Sequence, residues 1–134
     1  MEKETSSKKM GRAILGAFIA ALFMKIFLFD FMLTEGQSMM PVIKPGSVLL
    51  VNKMVYGFRL PWSGAYIAWW ARPKQGDVVV FYTPAGEVAV KRCAEITKKN
   101  EFIALGDNTL QSYDSRSYGP VPLDHIIGKV LGIK

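Results

Sequence analysis

The chain has 134 residues, one cysteine, one histidine and a formal net charge of +6. That length holds one modest domain with an appendage. A single cysteine excludes an internal disulfide framework, and one cysteine with one histidine excludes a Cys/His zinc centre. Lys and Arg are dispersed, with no dense run beyond Lys8-Lys9 and Lys98-Lys99. The positive balance therefore points to a membrane surface and not to a nucleic-acid partner.

Residues 1–12 are polar and carry Lys3, Lys8, Lys9 and Arg12; residues 13–33 are apolar except for Lys25 and Asp30. A helix rises about 1.5 Å per residue, so this run is long enough to cross a hydrocarbon core of roughly 30 Å. It is expected to be a transmembrane anchor over 13–33. Asp30 would be hydrated at the far interface, and Lys25 would snorkel or face a partner. A cleavable leader is the competing reading, but no small-x-small site follows the apolar run; a soluble core helix is the third. With the basic residues ahead of the run, residues 1–12 are expected to be a cytoplasmic tail and 34–134 an extracytoplasmic domain.

Beyond residue 34 the pattern changes from helical to β. Residues 47–51, 77–82, 101–105 and 126–133 are apolar runs rich in strand formers, and 87–93 alternates. Turn signals at 44–46, 74–77, 83–86 and 98–100 separate them. The expected fold class is mainly β: a small antiparallel β domain preceded by one N-terminal transmembrane helix. Residues 56–62 and 66–70 gather all three tryptophans and two tyrosines. Two readings fit them, a satellite core under a loop and an aromatic surface dipping into a membrane interface.

Gly36-Gln-Ser-Met-Met-Pro41 follows the apolar run closely, and its Gly and Pro can shape a turn that presents the Ser38 hydroxyl beside a free N–H. A serine nucleophile needs a base. His125, the lone histidine, falls in a polar turn where it is expected to face solvent. Lysine serves if burial keeps it neutral, and Lys91 lies within a strand run, where a side chain can be forced inward. Cys93 is expected to be a small core residue. Residues 106–119 are dense in Gly, Asp, Asn and Ser. There Asp114 and Arg116 could pair and pin the loop, leaving Ser112 to offer a hydroxyl to the lysine.

Gly36-Gln-Ser-Met-Met-Pro41, Gly76-Asp-Val-Val-Val-Phe81, Lys91-Arg92, and Gly106-Asp-Asn108 with Ser112-Tyr-Asp-Ser-Arg116 come in the order of the boxes of type I signal peptidases, which the chain resembles over nearly its whole length. Tyr56-Gly-Phe-Arg-Leu-Pro61 resembles the family's stretch between the first two boxes. The resemblance implies Ser38 as nucleophile and Lys91 as general base. It implies Ser112, Asp114 and Arg116 as catalytic support, and Met39 beside the substrate groove. Signal peptides of exported preproteins would be the substrates, the bilayer the other partner, and no cofactor would be needed. This chain departs from the family's pattern at three places. Gly36 stands where many relatives carry a hydroxyl residue, residues 94–97 replace a Leu-Pro-Gly-Asp sequence, and Thr109-Leu-Gln111 replaces Arg-Asp-Asn. A specialised pilin-maturing or conjugation peptidase of the same superfamily fits the same residues. A non-catalytic, membrane-tethered binding module is the alternative from a different class.

Overall fold

The computed structural model describes residues 2–134. Helix α1 (Glu2–Phe23) runs into one π-helical turn (Met24–Leu28) and then, with no linker, into strand β1 (Phe29–Leu33). Residues 6–28 are long and apolar enough to cross a membrane, and none of that stretch is buried against the rest of the chain. The helix expected through residue 33 is therefore corrected at its far end. The reason is tertiary. Strand β2 (Val48–Asn52) has β1 on one side, with Phe29 opposite Asn52 and Leu33 opposite Val48. The β1 residues alternate, so Asp30 reaches Lys53 (3.6 Å) instead of relying on interfacial water.

The domain is one seven-stranded antiparallel sheet in the order β1-β2-β9-β5-β6-β7-β8. Besides β1 and β2 it contains β5 (Val78–Tyr82), β6 (Val88–Ile96), β7 (Glu101–Leu105), β8 (Val121–Pro122) and β9 (Ile126–Ile133). A separate two-stranded ribbon pairs β3 (Gly57–Arg59) with β4 (Tyr66–Trp69). Strand β5 reads Val-Val-Val-Phe because the centre of the sheet is covered on both faces. Val79 and Phe81 enter one core with Phe102, Ala104 and Ile126. Val80 enters the other with Met39, Ile43, Leu49 and Val51. Cys93 is buried in the first core, where burial pushes its thiol up to about 11 and leaves it inert at neutral pH.

Asp77 ties the turn before β5 to its neighbours. It accepts from the Tyr56 hydroxyl (2.9 Å) and pairs with Lys129 on β9 (2.8 Å). At Gly128 an added Cβ would overlap the Asn52 carbonyl oxygen, so that position lets β2 lie close against β9. The aromatic segment is divided: Tyr56 is buried, whereas Trp62, Trp69 and Trp70 are exposed.

Phe81 is fully buried, edge-on to Phe102 at 5.2 Å between ring centres. Phe81→Ala is expected to cost about 3–5 kcal/mol, the range for emptying a packed aromatic site, measured by denaturant unfolding of the detergent-solubilised chain.

Candidate active site

Ser38 sits in the turn that leaves β1 for β2. The turn is fastened at both ends. The Thr34 hydroxyl donates to the Lys44 carbonyl (2.9 Å), and the buried side chains of Met39 and Ile43 anchor the next residues in the core. The Met40–Pro41 peptide is cis. Ser38 is half-buried, and among the described residues its N–H donates to no group of the chain. An added Cβ at Gly36 would meet open space.

Lys91 comes from β6 and is 5% exposed. It pairs with Val79 across the ladder, on the face of the first core. Burial disfavours its ammonium and lowers its pKa; the nearby Asp114 carboxylate opposes that shift, and the Arg116 guanidinium adds to it. Ser38 and Lys91 line one groove of about 680 Å³. One wall is Met32 to Met39; the other is Val88 to Lys91 of β6. The β6–β7 register begins at Arg92 opposite Leu105. Residues 88–91 therefore have β5 on one side and an unpaired backbone edge toward the groove. Among the described residues no hydrogen bond joins the Ser38 hydroxyl to Lys91.

Asp114 builds the floor of the site. It is fully buried and caps the short helix α2 (Ser115–Tyr118) by accepting from the Arg116 N–H. It also accepts from the Gly106 N–H (2.8 Å), the Ser112 hydroxyl (2.5 Å) and the Arg116 side chain (2.9 and 2.6 Å). Burial alone would raise its pKa. The bonds from Arg116, Gly106 and Ser112 outweigh burial and hold the carboxyl well below the usual carboxylate range. The Ser112 hydroxyl donates to Asp114 and not to Lys91, and Ser112 is not among the residues lining the groove.

Gly106 is where these pieces meet. A Cβ there would overlap Ser112 and come 2.6 Å from the Ser38 carbonyl oxygen. Only a bare backbone lets the Ser38 turn and the Ser112 loop close on the same point. The next residues complete the clamp. The Asn108 N–H donates to the Ser38 carbonyl (2.9 Å), and its side-chain amide donates to the Gln37 carbonyl (3.1 Å). Arg92 holds Asp107 with two bonds (2.8 and 2.7 Å) and spans to the Gly76 carbonyl. Sequence reasoning placed Arg92, Asp107 and Asn108 in motifs but assigned them no work. The available signal was charge: opposite signs directly follow Lys91 and Gly106. His125 lies apart, with its Nδ1 2.9 Å from the Tyr82 carbonyl.

Two outcomes follow from this packing. Gly106→Ala is expected to lower stability by about 1–3 kcal/mol, the usual cost of overpacking, and to loosen the Ser38 turn; thermal unfolding and amide exchange of residues 37–40 check both. Lys91→Met removes a buried cation and keeps the volume, so it is expected to raise the melting temperature. Folding lowers the Lys91 pKa, so between the folded and unfolded values the unfolded chain binds more protons. The Lys91 contribution to stability therefore rises with pH across that window, up to the ordinary lysine value. The gain from Lys91→Met should be largest below the window and fade through it, as unfolding at several pH values will read.

Residues 7–97 and 89–133 match the family model described as signal peptidase, peptidase S26. Signal peptidase I of Bacillus caldolyticus is 26% identical over 96% of this chain and 91% of that protein. Mitochondrial inner membrane protease subunit 1 of Schizosaccharomyces pombe is 32% identical over 78% of this chain and 73% of that protein. Signal peptidase I T of Bacillus subtilis is 34% identical over 81% of this chain, which spans half of that relative's length. With the family model matched along nearly the whole sequence, through both the Ser38 turn and the Asp114 loop, the chain belongs to the signal peptidase family, peptidase S26.

Proposed function

We propose that the chain is a membrane-anchored serine endopeptidase that removes N-terminal signal peptides from exported preproteins, with Ser38 as nucleophile and Lys91 as general base. The observation that carries this reading is the meeting of Ser38 and a buried, pKa-lowered Lys91 in one groove, in a chain of this family.

Neutral Lys91 takes the Ser38 hydroxyl proton as the Ser38 oxygen attacks the scissile carbonyl carbon. The resulting oxyanion is met by the free Ser38 N–H. Collapse breaks the C–N bond, and the Lys91 ammonium returns its proton to the leaving amine. Lys91 then takes a proton from water as that water attacks the acyl ester, and returns it to the Ser38 oxygen as the ester C–O bond breaks, which frees the leader and restores neutral Lys91. Asp114 and Arg116 act as positioning residues: they fix the loop that closes over Gly106, and with it Ser112. Met39 anchors the nucleophile turn and forms part of the groove wall. The substrate lies extended and adds its backbone to the unpaired edge at residues 88–91. Small side chains at the first and third positions before the cut fit beside Val88, Ala89 and Val90.

In this reading α1 spans the cell membrane, with the tail on the cytoplasmic side and the β domain outside. The basic residues Lys8, Lys9 and Arg12 support that orientation. The exit of α1 into the groove wall keeps the site near the bilayer, which suits leaders that are themselves held in it.

The solubilised wild type is expected to cleave a preprotein at a small-x-small leader site. Ser38→Ala and Lys91→Ala should each lose at least about 10³ of the rate, the scale for removing an essential catalytic group, while keeping wild-type circular dichroism. Because Lys91 works unprotonated and its pKa is lowered, the rate should climb with pH to a midpoint below the ordinary lysine value. Cleavage that survives either substitution would remove the assignment of Ser38 and Lys91. A folded wild type that neither cleaves nor is acylated at Ser38 by a serine-directed inhibitor would point to a binding module instead.

A further inference from the structure

A second cavity, of about 190 Å³, lies between the foot of α1 and the β3–β4 ribbon. Ile26, Phe27, Leu60 and Pro61 give it an apolar wall, and Asp30, Lys53 and Arg59 give it charge. Met32 and Val88 line both this cavity and the Ser38 groove, so the two are neighbours. Asp30 and Lys53 pair with each other at 3.6 Å and cancel. Arg59 is left over. It is half-buried, and among the described residues it makes no ion pair.

Arg59 is nonetheless held in place. Its Nε donates to the Gly64 carbonyl (2.5 Å), and its guanidinium carbon lies 5.2 Å from the Tyr82 ring centre and 5.9 Å from that of Tyr66. Gly64 has φ +68°, and a Cβ there would come 2.9 Å from the Arg59 Nη2. The ribbon tip is thus shaped around the guanidinium. Its terminal nitrogens find no acceptor among the described residues. A fixed planar fork of donors beside an apolar wall, without a counter-ion, is complementary to a phosphate oxygen pair.

The surroundings select the source of that phosphate. Phe27, in the π-helical turn that follows α1, stacks on Phe58 of β3 at 5.6 Å and 8° between planes, which joins the ribbon to the helix foot. The ribbon and its flanks expose Trp62, Ile67, Trp69 and Trp70. Amphipathic indoles in this number suit the headgroup zone of a bilayer. A soluble anion would have no use for the apolar wall or the exposed indoles. We propose that this cavity seats the phosphodiester headgroup of a glycerophospholipid against Arg59, with the acyl chains lying along the apolar face of Ile26 and Phe27. The proposal rests on the reading of α1 as a membrane span.

The three tryptophans all lie in or beside this ribbon, so selectively excited tryptophan emission reports on it. The full chain in dodecylmaltoside would be titrated with palmitoyl-oleoyl phosphatidylglycerol. The expected result is a saturable blue shift, weakened at least about tenfold in apparent affinity by Arg59→Gln and not displaced by millimolar inorganic phosphate. Equal affinity in a folded Arg59→Gln, or displacement by phosphate, would overturn the headgroup site. A measurement on wild type alone guards against a variant that fails to fold: phosphatidylglycerol with a photoreactive headgroup, in proteoliposomes, should label peptides containing Lys53 or Arg59. Labelling confined to other peptides would also overturn it. Alkaline carbonate extraction of the same vesicles separates the two readings. Release of the wild type would defeat the membrane span and the lipid site together. Retention with unchanged lipid affinity in Arg59→Gln would defeat the lipid site and leave the span standing.

Discussion

The carboxylate of Asp114 is the only ionised group among the described residues with no exposed surface, and the site is arranged around it. A buried charge is tolerable only when its oxygens are fully bonded. Here five donors converge on it from the end of β7, the Ser112 loop and the first turn of α2. Each donor that satisfies the charge also fixes a piece of chain. The Gly106 N–H is the most consequential, because Gly106 touches Ser112 on one side and the Ser38 turn on the other. An electrostatic obligation in the floor of the domain thus sets the position of a hydroxyl about seventy residues away in sequence.

Lys91 is the opposite case. Asp114 is charged and compensated; Lys91 is buried with its one nearby carboxylate already saturated by other donors. Arg116 takes up the Asp114 charge that would otherwise keep the lysine protonated. The pair Asp114–Arg116 therefore does two things at once: it pins the loop, and its guanidinium limits how far the carboxylate can raise the Lys91 pKa against burial. A buried lysine without an ion-pair partner among the described residues is unfavourable for folding, which fits the role proposed for Lys91.

Most of the sheet was legible because its strands announce themselves by period or by continuous apolarity. The runs at 101–105 and 126–133 coincide with β7 and β9, and the others differ by a few residues at their ends. The end of the first helix was not legible. Residues 29–33 are as apolar as those before them, and what makes them a strand is the open edge of β2, a partner that no local window contains. The short ribbon strands Gly57–Arg59 and Tyr66–Trp69 were hidden for a related reason: their aromatic content signals burial and exposure equally. At the site, residue types and order pointed to Ser38, Lys91, Ser112, Asp114 and Arg116. The partner of each hydroxyl was beyond reach, because whether Ser112 donates to a lysine or to an aspartate is decided by tertiary placement of the loop, which no local window contains.

The passage of α1, through one π-helical turn, into β1 has a mechanical meaning. The strand that ends the helix is the same strand whose last residues, Met32 and Leu33, begin the groove wall. Five extended residues carry the chain about 17 Å, and Asp30–Lys53 and the β2 ladder stiffen them throughout. Every residue of that stretch has a partner on β2. A domain hung on a floppy tether would sweep a hemisphere and meet a peptide bond at any height. Mounted on a rigid bracket, this one can work at a single altitude above the foot of its helix, and the measuring of where a chain is cut becomes a property of architecture as much as of side-chain pockets.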